Sequence, residues 1–164
     1  MPTVAANRSD APAAVVSGAG LRIGVAVSRY NDAVTTRLLD GAREALAAAD
    51  VTDVTVVDVP GAFELPLAAQ AMLTTGPVAC DAVVLLGCVI RGETPHFDYV
   101  CAQAAAGAQR VALDTGRPVV FGVLTTDTLD QAMARAGGAV GNTGAEAATV
   151  AVEMSRLLRH LAAA

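Results

Sequence analysis

Apolar residues in this chain fall into four short continuous runs, separated by segments in which they recur every three or four positions. Continuous apolar runs are typical of buried strands, and the second pattern is typical of amphipathic helices. The runs predict strands at 21–27, 54–59, 82–90 and 119–124. The helical spacing predicts helices at 34–49, 65–73, 98–113, 128–136 and 143–161.

Short polar signals mark the starts of several helices. Thr128-x-x-Gln131 and Thr143-x-x-Glu146 have the spacing of capping boxes, in which two side chains satisfy backbone N–H groups at a helix start. Asp32 is placed to cap the first helix. These signals predict that Thr128, Thr143 and Asp32 are N-cap residues.

The alternation of strands and helices predicts an α/β fold, a three-layer α/β/α sandwich around a four-stranded, mostly parallel sheet. At 164 residues a single domain is expected, and we assign it to residues 21–164. Residues 1–20 are rich in Ala, Pro, Ser and Gly, and we expect a flexible N-terminal arm that could add a strand to a neighbouring subunit. Most apolar residues are Ala and Val, so we expect further apolar surface to be buried between subunits.

Composition and charge argue against several classes of protein. The net charge of −5 disfavours binding to a nucleic-acid backbone, and no apolar run reaches the ~18–20 residues of a membrane span. The first residues lack a basic segment followed by an apolar one, so no secretion signal is expected. Cys80, Cys88 and Cys101 form no CxxC pair and are expected to be reduced thiols. We therefore expect a cytoplasmic protein without nucleic-acid or membrane partners.

The segment 91–99, Arg-Gly-Glu-Thr-Pro-His-Phe-Asp-Tyr, follows the third predicted strand and concentrates polar chemistry. Open α/β sheets bind their ligands at the carboxyl ends of the strands. Tyr30, Phe63, Phe97 and Tyr99, four of the five aromatic residues, also follow predicted strands. These positions together predict a ligand site, and the alternative is that they are helix caps and edge-packing residues.

His96 is the first candidate for chemistry, because an unperturbed histidine titrates near pH ~6.5 and can move protons at neutrality. The alternative is a histidine that caps the following helix. A metal site is not expected, since the only other histidine, His160, lies in the C-terminal tail without ligand spacing.

The other candidate residues are suited to bind phosphate and a flat ring. Residues 91–94 could present backbone N–H groups and a hydroxyl to phosphate near a helix start. Arg135 could supply the counter-charge, or it could compensate a helix dipole. Glu64 suits hydroxyl groups, and Phe63 and Tyr30 could enclose a ring. The residues suggest a planar heterocycle bearing a polyol, together with a phosphorylated compound.

Six blocks of the sequence, in order, resemble the lumazine synthase (6,7-dimethyl-8-ribityllumazine synthase) family over roughly residues 20–160. The blocks are Ser-Arg-Tyr-Asn at 28–31, Val-Pro-Gly-Ala-Phe-Glu-Leu-Pro at 59–66, Leu-Gly-Cys-Val-Ile-Arg-Gly-Glu-Thr-Pro-His-Phe-Asp-Tyr-Val at 86–100, Phe-Gly-Val-Leu-Thr-Thr-Asp at 121–127, Gln-Ala-Met-Ala-Arg-Ala-Gly at 131–137 and Gly-Asn-Thr-Gly at 141–144.

The resemblance implies a flavodoxin-like fold and an enzyme of riboflavin biosynthesis. That enzyme condenses 5-amino-6-(D-ribitylamino)uracil with 3,4-dihydroxy-2-butanone 4-phosphate and releases phosphate and water. It is a transferase that uses no cofactor and no metal. The substrate amine forms an imine, phosphate is eliminated, and ring closure with dehydration gives the lumazine. The resemblance also implies a homo-oligomer, a pentamer or an icosahedral 60-mer, with riboflavin synthase as a candidate partner.

The resemblance also implies a role for each matching residue. His96 would transfer protons, and Tyr30 would stack on the pyrimidine, where the family mostly has Phe or Trp. The pyrimidine and ribityl pocket would comprise Tyr30, Asn31, Ala62, Phe63, Glu64, Cys88, Val89, Ile90 and a neighbouring subunit's Phe121. The phosphate site would comprise Glu93, Thr94, Arg135 and Thr143.

One departure from the family concerns phosphate. The block usually written Gly-Asn-Lys-Gly has Thr143 in place of lysine, which removes a positive charge near the phosphate site. We expect weaker binding of the phosphate substrate, with Arg135 as the main cationic contact. This departure motivates one alternative, a shell-forming or ligand-binding paralogue with weakened catalysis. A separate alternative is a flavodoxin-like phosphosugar or nucleotide binder, whose site would need no second subunit. Within the segment 91–99, Asp98 is expected to orient His96 or cap the helix, and Arg91 to have a structural or interface role.

Overall fold

A four-stranded parallel sheet forms the centre of the computed structural model, which describes residues 15–76 and 79–164. The strand order is β2-β1-β3-β4. The strands are β1 (Arg22–Ser28), β2 (Asp53–Val59), β3 (Ala82–Ile90) and β4 (Val119–Thr126), and a short antiparallel pair follows, β5 (Ala136–Gly138) and β6 (Gly141–Asn142). The helices are α1 (Asp32–Ala48), α2 (Leu65–Thr74), α3 (His96–Thr115), α4 (Leu129–Ala134) and α5 (Thr143–Ala163), with a 3-10 turn at Ala62–Glu64.

Helices cover both faces of this sheet, which confirms the predicted three-layer α/β/α sandwich. On one face α1 and α5 enclose a core that includes Leu38, Val84 and Val152. On the other face α2 and α3 pack over Val83 and Leu85 of β3, with Leu65 of α2 in the same core. Every residue of β3 from Ala82 to Cys88 is buried, as expected of a strand covered on both sides. All strands of the main sheet are parallel, so their carboxyl ends lie along the same edge.

Helices α1 and α5 approach each other closely because two glycines lie at their contact. A Cβ on Gly144 would overlap the backbone carbonyl of Leu38 in α1. A Cβ on Gly41 would overlap the side chain of Asn142, whose Nδ2 donates to the Arg37 carbonyl at 2.9 Å. The Gly-Asn-Thr-Gly block therefore fixes how the last helix packs on the first.

The N-cap of α5 is Asn142, so the prediction that Thr143 caps this helix is wrong. The Asn142 Oδ1 accepts hydrogen bonds from the N–H groups of Gly144 and Ala145, at 2.9 and 3.1 Å. An amide side chain can accept from the helix end and donate to α1 at the same time.

The other two predicted caps have different outcomes. Thr128 caps α4 as expected, because its Oγ1 accepts from the Gln131 N–H at 3.2 Å. The side chain of Gln131 returns to the N–H of Asp127, one residue before the cap. Asp32 is the first residue of α1, and the N-cap position belongs to Asn31 in the left-handed conformation (φ 59°, ψ 48°), so the prediction of an Asp32 cap is wrong.

The predicted N-terminal arm falls largely outside the described residues, which begin at Val15. Within the described part, Arg156 of α5 donates to the carbonyls of Ser17 and Ala19 at 2.7 and 2.6 Å. Gly18 donates to the Ala49 carbonyl at 2.6 Å, so this stretch contacts the body of the domain. No helix within residues 15–76 and 79–164 combines the length and apolar character needed to cross a membrane.

Candidate active site

A cavity of about 580 Å³ lies at the carboxyl ends of β1, β2 and β3. It brings together nine residues that the sequence predicted as one site, from four separate segments of the chain. These nine are Tyr30, Asn31, Ala62, Phe63, Glu64, Cys88, Val89, Ile90 and His96. The remaining lining residues are Gly61, Tyr99 and Val100.

Asn31 joins two walls of the cavity. Its left-handed backbone ends the β1–α1 loop, and its Nδ2 donates to the Cys88 carbonyl at 2.8 Å. Asparagine tolerates this conformation better than most residues. Tyr30, next to it, leaves 70% of its surface exposed in the single chain. A flat apolar ring is therefore available to stack on a ligand.

The second wall is the 3-10 turn Ala62–Glu64, which directly precedes α2. Its Phe63 ring is 56% exposed and is therefore open to the cavity. A Cβ on Gly61 would lie 3.0 Å from Cδ2 of Tyr30 and 3.1 Å from Oε2 of Glu64. Glycine at this position thus lets the tyrosine ring and the glutamate carboxylate both lie close to the backbone of residue 61.

The third wall is the end of β3 and the start of α3. The β1–β3 ladder ends at the pair Val27 and Leu86, so the backbone of β3 continues past its neighbour. His96 is the first residue of α3, and Tyr99 and Val100, three and four positions on, line the cavity beside it. This i, i+3, i+4 spacing on one helix face was the signal that could have added Tyr99 and Val100 to the predicted site.

Four predicted phosphate residues lie outside the cavity lining. Glu93 and Thr94 are exposed in the β3–α3 loop, just before His96. Arg135 follows α4, and its Nη1 donates to the Gln131 carbonyl at 2.9 Å. The Arg135 carbonyl accepts from the N–H of Thr143 at 2.9 Å, so these two residues are neighbours.

Phe121 lies in the middle of the edge strand β4, 37% exposed, and is not part of the lining in this single chain. Its predicted contribution comes from a neighbouring subunit, so the single chain does not test it. The exposed side of β4 leaves the ring accessible to a second molecule.

Asp98 and Arg91 bind each other at the edge of the site. Nη1 of Arg91 donates to Oδ1 of Asp98 at 3.2 Å, and Nε donates to Oδ1 of Asp127 at 2.9 Å. The carboxylate of Asp98 is thus directed toward Arg91. The guanidinium also lies 4.1 Å from the centroid of the Phe97 ring.

The thiol of Cys88 is buried in the cavity wall, and burial raises its pKa from 9.0 to about 11. Cys80, Cys88 and Cys101 are all free thiols. Across residues 15–76 and 79–164, no group of three or more His, Cys, Asp or Glu side chains is arranged to hold a metal ion.

Comparison with known proteins assigns the family. The model of the 6,7-dimethyl-8-ribityllumazine synthase family matches residues 20–159. The chain belongs to this family. A 6,7-dimethyl-8-ribityllumazine synthase from Syntrophus aciditrophicus (strain SB) is 49% identical over 163 residues, which cover 98% of this chain and 100% of that protein.

Membership of the lumazine synthase family confirms the enzymatic function expected from the sequence. The activity is the condensation of riboflavin biosynthesis, in which a ribitylaminouracil and a four-carbon phosphate give 6,7-dimethyl-8-ribityllumazine. The substrates are small molecules, and the family assembles as oligomers. Neither the family match nor the relative favours the alternative of a weakened paralogue.

Proposed function

We propose that the cavity at the carboxyl ends of β1, β2 and β3 is the ribitylaminouracil site and that the neighbouring loops hold the four-carbon phosphate. The observation that carries this proposal is the convergence of nine expected residues on one cavity. The stretches 30–31, 62–64 and 88–96 are far apart in the chain, so their convergence is a property of the fold and not of local sequence.

In this proposal the pyrimidine lies between two aromatic side chains. Tyr30 and Phe63 are exposed rings on different walls of the same cavity, and stacked aromatic pairs are typically worth about 0.5–1.5 kcal/mol beyond area burial. The Glu64 carboxylate can accept several hydrogen bonds and takes the ribityl hydroxyls. Ala62 leaves room beside them for the chain of the polyol.

The edge of the pyrimidine is bound by the backbone at the end of β3. Past Leu86 this backbone has no partner in β1. The Cys88 carbonyl is already occupied by Asn31, so it serves to fix the wall. Ile90, two residues further, directs its backbone groups to the same side of the strand, where the ring edge can reach them. Val89 contributes apolar surface.

His96 transfers protons during imine formation and ring closure. It lies at the cavity wall on the first turn of α3, within the segment that also carries Glu93 and Thr94. These two residues would hold phosphate through backbone N–H groups and a hydroxyl, while Arg135 supplies the positive charge and Thr143 a second hydroxyl. Positioning and proton transfer are sufficient for a reaction in which the substrate's own amine is the nucleophile.

The complete site requires a second subunit in this proposal. Three aromatic side chains of the cavity, Tyr30, Phe63 and Tyr99, are 70%, 56% and 70% exposed in the single chain. A neighbouring subunit's Phe121 would cover part of this surface. A closed ring such as a pentamer gives every cavity a neighbour, and twelve pentamers would make a 60-mer shell. We further propose a cytoplasmic location and riboflavin synthase as a candidate partner.

Incubation of the protein with both substrates, followed by lumazine fluorescence, tests the proposal. We expect product formation, and we expect His96→Ala to slow it by roughly 10²-fold, the lower end of the usual general acid–base contribution. His160→Ala is the matched control, because His160 is the other histidine and lies exposed on the last turn of α5. Unchanged turnover in His96→Ala would show that the proton-transfer group has been misassigned.

A further inference from the structure

Arg91 connects the two loops that the proposed mechanism uses. It follows β3 directly, and its N–H donates to the Thr126 carbonyl at 2.9 Å, which continues the pairing with β4. Its guanidinium then contacts two carboxylates, Asp98 in the first turn of α3 and Asp127 in the β4–α4 loop. Nη1 donates to Asp98 at 3.2 Å, and Nε donates to Asp127 at 2.9 Å.

The contact with Asp98 holds the proton-transfer side of the site. Asp98 lies in the first turn of α3, two residues after His96. Its backbone N–H donates to the Pro95 carbonyl at 3.0 Å, so its position is tied to the start of the helix. Phe97, on the same turn, stacks on the guanidinium with 4.1 Å between Cζ and the ring centroid. Arg91 thus makes two contacts with the turn that carries His96.

The contact with Asp127 holds the phosphate side. The N–H of Asp127 donates to Oε1 of Gln131 at 2.9 Å, and the backbone carbonyl of Gln131 accepts from Nη1 of Arg135 at 2.9 Å. An unbroken series of contacts therefore runs from Arg91 through Asp127 and Gln131 to Arg135. We call the whole series, from Asp98 to Arg135, the Arg91 bridge.

We propose that Arg91 is a positioning residue, which sets the placement of His96 relative to Arg135 through Asp98 on one side and Asp127 on the other. The inference rests on the proposed function, in which His96 moves protons and Arg135 holds phosphate. A planar guanidinium can bind two carboxylates in fixed directions, and a lysine ammonium cannot reproduce that geometry. Exposed ion pairs contribute little to stability, so the expected effect is on catalysis.

The test is a double-mutant cycle on the two carboxylates. Asp98→Ala and Asp127→Ala should each lower kcat/KM for the phosphate substrate about tenfold, because a small misplacement of a reacting group is enough for such a loss. The double variant should lie within about threefold of the worse single variant, because one break already interrupts the bridge. Multiplicative losses in the double variant, or unchanged kinetics in both single variants, would overturn the inference.

Three further measurements separate positioning from a general structural role. The KM for the ribitylaminouracil should stay within about twofold, because Tyr30, Phe63 and Glu64 lie on other loops. Arg91→Lys should lose activity like a single-carboxylate variant, and full activity in it would contradict the bridge. The matched control is Asp53→Ala, which also removes a carboxylate paired with an arginine, Arg22. The exposed fraction of its side chain, 57%, is close to the 60% of Asp98 and the 67% of Asp127.

His96→Ala measured in parallel distinguishes this inference from the proposed function. A slow His96→Ala with normal Asp98→Ala and Asp127→Ala would remove the positioning role alone. A fully active His96→Ala would remove the proposed role of the histidine, and with it the basis for the bridge.

Discussion

The side-chain amide of Asn31 donates a 2.8 Å hydrogen bond to the backbone carbonyl of Cys88. This bond links the start of α1 to the end of β3 across 57 positions of sequence. It also occupies a strand carbonyl that lies beyond the last β1–β3 pair and would otherwise face the cavity. Asn31 therefore closes the wall of the site as well as ending the loop.

Replacement of Asn31 separates its two roles. Asn31→Ala removes the hydrogen bond to Cys88. It also puts alanine, which has no polar side chain to stabilise the left-handed conformation, at that position. Together these losses should lower the free energy of unfolding by about 2 kcal/mol. Asn31→Gly loses the bond but adopts the conformation without strain, so it should be destabilised less. Urea unfolding measures both values. A glycine variant as unstable as the alanine variant would show that backbone conformation contributes nothing here.

Gly144→Ala should be among the most destabilising single changes in the chain. Helix propensity alone favours alanine in α5, but the new Cβ would overlap the Leu38 carbonyl, and backbone atoms cannot move aside as a side chain can. We expect a loss of about 3 kcal/mol or more. Gly92→Ala is the control, because a Cβ there meets nothing within 4 Å. Thermal unfolding of the two variants should differ clearly, and equal midpoints would contradict the close helix contact.

The Cys88 thiol should be slow to react at neutral pH. Burial holds its pKa near 11, so little thiolate exists at pH 7.5, and labelling should accelerate about tenfold per pH unit below that value. The half-buried Cys101 should react first with N-ethylmaleimide, as followed by mass spectrometry. Equal labelling rates at pH 7.5 would argue that the cavity wall opens readily.

The same raised pKa gives stability a defined pH dependence. Between pH 9.0 and about 11 the unfolded thiol releases its proton while the folded one keeps it. The folded state then binds more protons, so stability falls as the pH rises through this window. Cys88→Ser should weaken that fall. The comparison uses urea midpoints measured at intervals from pH 8 to 11 in both proteins.

Thr143→Lys should lower the KM for the phosphate substrate. It adds a positive charge next to Arg135, whose carbonyl accepts from the Thr143 N–H. The effect should be severalfold and should shrink at high salt, because ionic strength screens exposed charges. Thr143→Gln is a matched control that adds length without charge. If Thr143→Lys leaves an already low KM unchanged, the missing lysine does not weaken phosphate binding.

If each site takes residues from two subunits, two variants with impaired activity should complement each other in mixed oligomers. Phe121→Ala and His96→Ala, mixed under dissociating conditions and reassembled, should form about a quarter of sites with both native residues if the two come from different subunits. Activity above that of either variant alone is the expected outcome. Absence of recovery in mixed oligomers would place both residues in one subunit's site, or remove Phe121 from it.

Most of the fold was predictable because burial leaves a local pattern. The strand predicted at 82–90 has those bounds in the structure, since covered parallel strands are apolar on both faces. The helix predicted at 98–113 runs from His96 to Thr115, two residues further at each end, because its end turns lie outside the apolar stripe that gave the predicted bounds. The β5–β6 pair was missed, since its glycine-rich segment pairs through backbone alone.

The parts that escaped prediction depend on distant residues. Asn142 was preferred to Thr143 as a cap because its amide also reaches the Arg37 carbonyl, 105 positions away. The role of Asp98 was decided by Arg91 and not by its neighbour His96. The cavity gathered the expected ring and polyol residues, while the phosphate residues lie outside its lining in one chain. Local spacing identifies candidates, and only the fold brings distant partners together.

The close contact of α1 with α5 has a consequence for mutational scanning and enzyme engineering. A Cβ at Gly144 would overlap the Leu38 backbone, and a Cβ at Gly41 would displace the Asn142 side chain that caps α5, although neither glycine carries a reactive group. In a saturation library they should appear as intolerant as residues of the cavity. A library scored only by activity would therefore mark them as catalytic, whereas parallel scoring by protein abundance would assign them to folding and leave the cavity residues as the functional set.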